Sequence, residues 1–241
     1  MTVITHLSET DSTNRWLREH DDGEDALVWT DYQTAGRGCG TNSWESERGQ
    51  NLLFSLLLHP VGVAAADQFL LSMTNALALR DTLADYIADV KIKWPNDIYW
   101  KDYKICGTLI ETTLQGQHIK NCIIGTGINV NQIEFRSDAP NPISLRMILG
   151  HEIDREEVLR KFMTCAAKYM DCVSSGAWEC IRSHYRSHLY RRDEMHRYRF
   201  SDGSVKTCKL VNVTDSGLLE LQCEDGKTYR MAFKEVQFIL D

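Results

Sequence analysis

The stretch VKIKWPNDIYWKDYKICGTLIETTLQGQHIKNCIIGTGINVNQ, residues 90–132, decides the fold. Its β-branched and aromatic residues come in short runs parted by Pro95-Asn96, Lys101-Asp102 and Gln115-Gly116-Gln117. That pattern reads as strand, turn, strand, turn and then two longer strands. Residues 105–114 and 119–128 form a hairpin in this reading, closed by a glycine-bearing turn. The proline marks a break between two strands or an edge, since it cannot donate to a ladder.

Working outward, NLLFSLLLH (51–59) reads as a buried strand and ALVWTDYQ (26–33) as another. DSTNRWLREH (11–20) opens with several candidate caps and predicts a short helix. Phe69, Met73, Leu77, Leu83 and Ile87 recur at helical spacing over residues 66–88. Asp154 with Glu157 resembles a capping box, ahead of an apolar stripe of Val158, Phe162, Ala166, Tyr169 and Val173. After Tyr190 the texture changes, with D-G, D-S-G and E-D-G turn signals between short β-rich runs. The expectation is an α+β protein: residues 1–190 as the larger domain, a mixed sheet with helices on one face. A small all-β barrel of the Src-homology-3 type follows over residues 191–241.

A net charge of −7 argues against binding nucleic acid or an anionic membrane. No apolar run approaches the roughly 20 residues that a spanning helix needs, and MTVITHLSETDST has no secretory character. The eight cysteines include no C-x-x-C pair, so reduced thiols and a cytoplasmic location are expected. Cys180, His184 and His188 share a helical stripe, but they flank the apolar stripe of Trp178, Ile181, Tyr185 and Leu189. A solvated flank outweighs a zinc site there.

Three polar clusters stand apart from this scaffold. Ser12-Thr13-Asn14 opens a helix, where hydroxyls and free N–H groups hold a polar or anionic head. QTAGRGCGTNSW (33–44) sets glycines and Arg37 between Gln33 and Trp44, a backbone able to cradle phosphate. Lys93-Trp94-Pro95-Asn96-Asp97 puts a carboxylate beside the strand break, with Lys104 seven residues on and able to fold back toward it. Such a carboxylate suits Mg²⁺ when phosphate oxygens share the ion.

The order S-T-N, Y-Q-x-A-G-R-G with a tryptophan eight residues on, K-W-P-N-D, K-x-x-G and G-x-G-I-N-V resembles the biotin–protein ligase family over about residues 8–131. The family also carries a small C-terminal β-domain. The resemblance implies two half-reactions: biotin and ATP give biotinyl-5′-AMP, and a lysine of a biotin carboxyl carrier protein then takes the biotin. It implies that Ser12, Thr13, Asn14 and Gln33 line the ureido end of biotin. Arg37, Gly38, Cys39 and Gly107 lie along the rest of biotin, and Lys104 contacts the reacting oxygens. Arg37, Trp44, Lys93, Asn96, Lys104 and Asn129 serve ATP. Lys104, Arg37 and Asp97 are the catalytic set, with Asp97 also a ligand of Mg²⁺. It further implies a form with no N-terminal DNA-binding domain, a monomer or homodimer. A lipoate or octanoate ligase or transferase is the nearest rival.

One departure stands out. The family loop is usually G-R-G-R-x-G-R-x-W, whereas here Cys39 and Asn42 occupy the later arginine places and the glycine shifts from the place of Thr41 to Gly40. Arg48 is a candidate replacement, against a solvated role. A Cys39 thioester route is the weaker alternative to adenylation, since no histidine base lies in the motifs.

Overall fold

A computed structural model describes residues 3–40, 42–137 and 141–240; Thr41 lies outside them. Seven strands form one mixed sheet in the order β1-β2-β3-β7-β6-β5-β4. They are β1 (Val3–Leu7), β2 (Ala26–Thr30), β3 (Leu52–Leu58), β4 (Val90–Lys93), β5 (Asp97–Trp100), β6 (Tyr103–Gln115) and β7 (His118–Ile128). The β6–β7 hairpin forms as expected, with Gly107 directly opposite Gly127. Only β1 pairs parallel, alongside β2.

Helices α2 (Phe69–Ala84), α4 (Arg155–Ser174) and α5 (Trp178–Ser187) share one side of the sheet. There Phe54 of β3 meets Phe162 of α4, ring centroids 4.7 Å apart. The short α1 (Thr13–Glu19) lies on the opposite face, where Leu17 packs on Val28, Leu57 and Ile123. Helices on one face therefore describes the three long ones, while α1 covers part of the other. This two-sided cover explains the seven consecutive buried residues of β3. A fifth helix, α3 (Leu145–Leu149), is a single turn or so capped by Ser144. At α4 the Asp154 side chain accepts from the Glu156 N–H, a cap worth about 1 kcal/mol.

The C-terminal strands β8 (Met195–Phe200), β9 (Val205–Val213), β10 (Leu219–Cys223), β11 (Thr228–Met231) and β12 (Val236–Phe238) form a separate antiparallel sheet, ordered β11-β10-β9-β8-β12. Its outer strands β11 and β12 are not joined, so the barrel is open rather than closed. The three glycine turns fall where they were read, at Gly203, Gly217 and Gly226, all with positive φ. The sheet packs on the end of the larger one: Trp94 Nε1 donates to Gly217 O at 2.9 Å and Arg186 Nε to Val213 O at 3.1 Å. Reduced cysteines hold for six positions, but Cys208 and Cys223 oppose each other across β9–β10 and are joined as a disulfide. Strand register creates that proximity, and no sequence spacing announced it. No described helix is long and apolar enough to cross a membrane.

Candidate active site

Where β5, β6 and β7 meet α1 and the glycine loop, a cavity of about 680 Å³ opens. Each site residue that the resemblance implies lines it, from Ser12 to Asn129, while the candidate replacement Arg48 does not. The polar end is a closed network. Thr13 donates its N–H to Gln33 Oε1 at 2.8 Å and its hydroxyl lies 3.1 Å from the same oxygen. Ser55 donates to Asn14 Oδ1 at 2.6 Å, and its oxygen sits 2.7 Å from Thr13 Oγ1. The hydroxyl of Ser12 makes no cap bond to α1, so it is left for the cavity.

The glycine loop is a narrow antiparallel ribbon. Gly38 N–H donates to Asn42 O at 2.7 Å, and Trp44 N–H to Gly36 O at 3.0 Å. Trp44 then turns its indole over Gly107 and Gly127. A Cβ at Gly127 would stand 2.3 Å from the indole Cε2, and one at Gly107 2.7 Å from Cζ3, so only glycine leaves room. Arg37 is half-exposed and reaches Glu111 at 3.3 Å. Arg48 pairs with Glu9 and stacks on Tyr32, 4.6 Å from its centroid. It stands outside the cavity lining.

Opposite the ribbon, the turn between β4 and β5 carries a cis Trp94–Pro95 bond. Antiparallel pairing of β5 with β6 brings Lys104 back, and its Nζ donates to Asp97 Oδ2 at 2.7 Å. Lys93 lies between rings, its Nζ 5.2 Å from the Tyr99 centroid and 4.9 Å from that of Phe238. Burial pushes its pKa below the usual lysine value, against the pull of Asp97. Asn96 Nδ2 donates to Thr108 O at 3.4 Å and Asn129 Nδ2 to Lys104 O at 3.5 Å. Trp44 Nε1, Thr126 Oγ1 and Asn129 Oδ1 are buried without a partner, and all three residues line the cavity. Such atoms cost about 1–3 kcal/mol each until something satisfies them, which points to a polar ligand.

Among the described residues no group of three His, Cys, Asp or Glu side chains is arranged to hold a metal ion, Cys180, His184 and His188 included. Two carboxylates line the cavity, and Glu45 is already capped by the N–H groups of Arg136 and Ser137 at 2.8 and 2.7 Å. Asp97, bonded through Oδ2 to Lys104, is the other, and it suits Mg²⁺ only when phosphate oxygens complete the shell.

Sequence reading missed Ser55, Glu111 and Phe233. Ser55 showed itself as the one polar residue in LLFSLLL, and Glu111 as the acid inside an apolar hairpin strand. Phe233, in the turn between β11 and β12, lines the cavity near Trp94, ring centroids 6.2 Å apart. No local signal points to it.

A family model, the biotin/lipoate A/B protein ligase family, matches residues 7–129, a span that holds S-T-N, the glycine loop, K-W-P-N-D and Lys104. The chain belongs to this family. Its relatives include the bifunctional ligase/repressor BirA of Bacillus subtilis, 31% identical over 228 residues, 91% of this chain and 68% of that one. The biotin–[acetyl-CoA-carboxylase] ligase of Paracoccus denitrificans is 31% identical over 232 residues, 92% of this chain and 95% of the other. Among solved family structures, the biotin protein ligase from Aquifex aeolicus in complex with biotin and ATP superposes with a TM-score of 0.82 at 26% identity. That match covers 99% of this chain and 100% of its counterpart.

Proposed function

We propose that the protein is an ATP-dependent biotin–protein ligase. Biotin's carboxylate attacks the α-phosphate of ATP, giving biotinyl-5′-AMP and pyrophosphate. The ε-amine of a lysine on a biotin carboxyl carrier protein then attacks the acyl carbon, forming the amide and releasing AMP. The observation that carries this reading is the Lys104–Asp97 pair, set at 2.7 Å beneath unpartnered polar atoms of the cavity.

Two anions must meet in the first half-reaction, and preorganised cations offset the charge that builds on the α-phosphate. Lys104 is a compact point charge held in place by Asp97, and Arg37 with the Gly38 backbone flanks the carboxylate and phosphate from the ribbon. Mg²⁺, when bound through Asp97 and the nucleotide, supplies further charge neutralisation. Trp44, Lys93, Asn96 and Asn129 face the nucleotide. Cys39 and Gly107 border biotin, and the ribbon shields the reactive anhydride from water until the carrier docks.

Ser12, Thr13, Asn14 and Gln33 receive the ureido ring. That network favours biotin over lipoate: a ureido ring can exchange hydrogen bonds with these hydroxyls and amides, whereas an apolar dithiolane ring offers none. The reading divides the chain into a catalytic unit, 1–190, and a small β unit, 191–241. It includes no DNA-binding or repressor step, in keeping with a net charge of −7, and places the enzyme in the cytoplasm.

The test is incubation with ATP, Mg²⁺ and an unmodified carrier domain, with biotin or lipoate, read by mass spectrometry. A biotin-sized mass gain on the carrier is expected. A lipoate-sized gain alone would reassign the substrate, and no gain with either would sink the ligase reading.

A further inference from the structure

Gly107, Leu109 and Glu111 alternate onto the same side of β6. The first two line the cavity, while Glu111 stands just behind it with 28% of its side chain exposed. Three side chains from two elements converge on this carboxylate. Asn14 Nδ2 of α1 donates to Oε2 at 2.8 Å, Arg18 of α1 reaches Oε1 at 2.9 Å, and Arg37 of the ribbon lies at 3.3 and 3.4 Å.

Asn14 is buried, and both ends of its amide are spoken for: Oδ1 accepts from Ser55 and Nδ2 donates to Glu111. Without the carboxylate, Nδ2 keeps only Leu109 O at 3.5 Å, too long to fix which way the amide faces. Arg37 holds the longest of the three links, 3.3–3.4 Å against 2.8 Å for Asn14 and 2.9 Å for Arg18. Once Arg37 leaves, Glu111 is still neutralised by Arg18 and bonded by Asn14. The guanidinium is therefore the partner that an incoming anion takes away at least cost.

Resting on the biotin ligase reading, we propose that Glu111 is a positioning residue that ties the ureido pocket to the ribbon. It fixes the Asn14 amide for the ring and parks Arg37 until a carboxylate or phosphate claims it. Glu111 touches no substrate atom itself. The two roles separate by substitution. Glu111→Ala removes the acceptor of Asn14 and raises the biotin Kd about tenfold, the usual worth of a hydrogen bond to a charged group. Glu111→Gln keeps an oxygen for Asn14 but removes the charge. Biotin binding then stays within about threefold of wild type, while the KM for ATP falls because Arg37 no longer divides itself between two anions. In an Arg37→Ala background, Glu111→Gln leaves the ATP KM unchanged.

Biotin titration calorimetry and ATP–pyrophosphate exchange on the wild type, the two Glu111 variants, Arg37→Ala and the double variant, with melting temperatures, measure all of this. A biotin Kd unchanged in a folded Glu111→Ala protein would overturn the proposal. So would an ATP KM that shifts equally with and without Arg37, or a uniform loss that tracks the melting temperature. Failure of the wild-type protein to exchange pyrophosphate with biotin present would instead overturn the ligase reading beneath it.

Discussion

The two walls of the cavity are built in opposite ways. The wall from β5, β6 and β7 is a continuous ladder, and its charged pair, Lys104 and Asp97, shows only 24% and 22% of the side chains to solvent. The ribbon wall is closed by two backbone bonds, and its one cation is 45% exposed. Transition-state stabilisation needs dipoles that do not reorganise, whereas entry and exit need a segment of low local stability. The sheet wall has the first property and the ribbon the second.

The sharpest break in this comparison is Lys104→Ala. It should cut the adenylation rate by about 10²–10³-fold, seen as lost biotin-dependent ATP–pyrophosphate exchange; a near-normal rate would move the chemistry to the ribbon. Next is Gly127→Ala, whose added Cβ drives into the Trp44 indole. A loss of about 1–3 kcal/mol in chemical unfolding, with weakened biotin binding, is expected; unaltered values would mean that the indole is not fixed. Arg37→Ala should leave the fold intact and speed the escape of biotinyl-adenylate several-fold, as befits an exposed cation. Stopped-flow release that matches wild type would remove Arg37 from the hold.

Lys93→Met tests the sheet wall with the opposite sign. Relief of a desolvated charge should raise the melting temperature while ATP binding weakens, an exchange of activity for stability. Since the folded pKa is depressed, the cost is fully present below that pKa and is relieved as pH rises through it toward the unfolded value near 10.5. The stability gap between variant and wild type should therefore narrow on the alkaline side; a constant gap rules out charge as its cause. Smallest of all, Cys39→Ser should leave ligation within about twofold, whereas a large loss would revive a thiol route.

Much of the sheet wall was legible beforehand, because hairpin residues 105–114 and 119–128 carry their own turn and period. The fold-back of Lys104 toward Asp97 followed from spacing alone. What escaped depends on contacts distant in sequence. β1 is an edge strand with Val3 and Ile4 largely exposed, so it lacks the apolar alternation that announces a strand. The position of α1 on the second face rests on Leu17 meeting Val28, Leu57 and Ile123, which lie 11 to 106 residues away. Glu111 gains meaning only from α1 and the ribbon, and Phe233 only from the docking of the second sheet. The Cys208–Cys223 link arises from β9–β10 register, which composition does not encode.

The indole seated on Gly107 and Gly127 also bears on how this family can drift. The two glycines are register partners, and each separately collides with the same ring when given a side chain. A first substitution at either site is therefore penalised, and a second at the other does not repair it. Only loss of the large ring at position 44 opens a route, and that step discards the cover of the cavity. The three positions should consequently change together or stay as they are, while the far end of the hairpin, around Leu114 and Gln117, is free to wander from one descendant to the next.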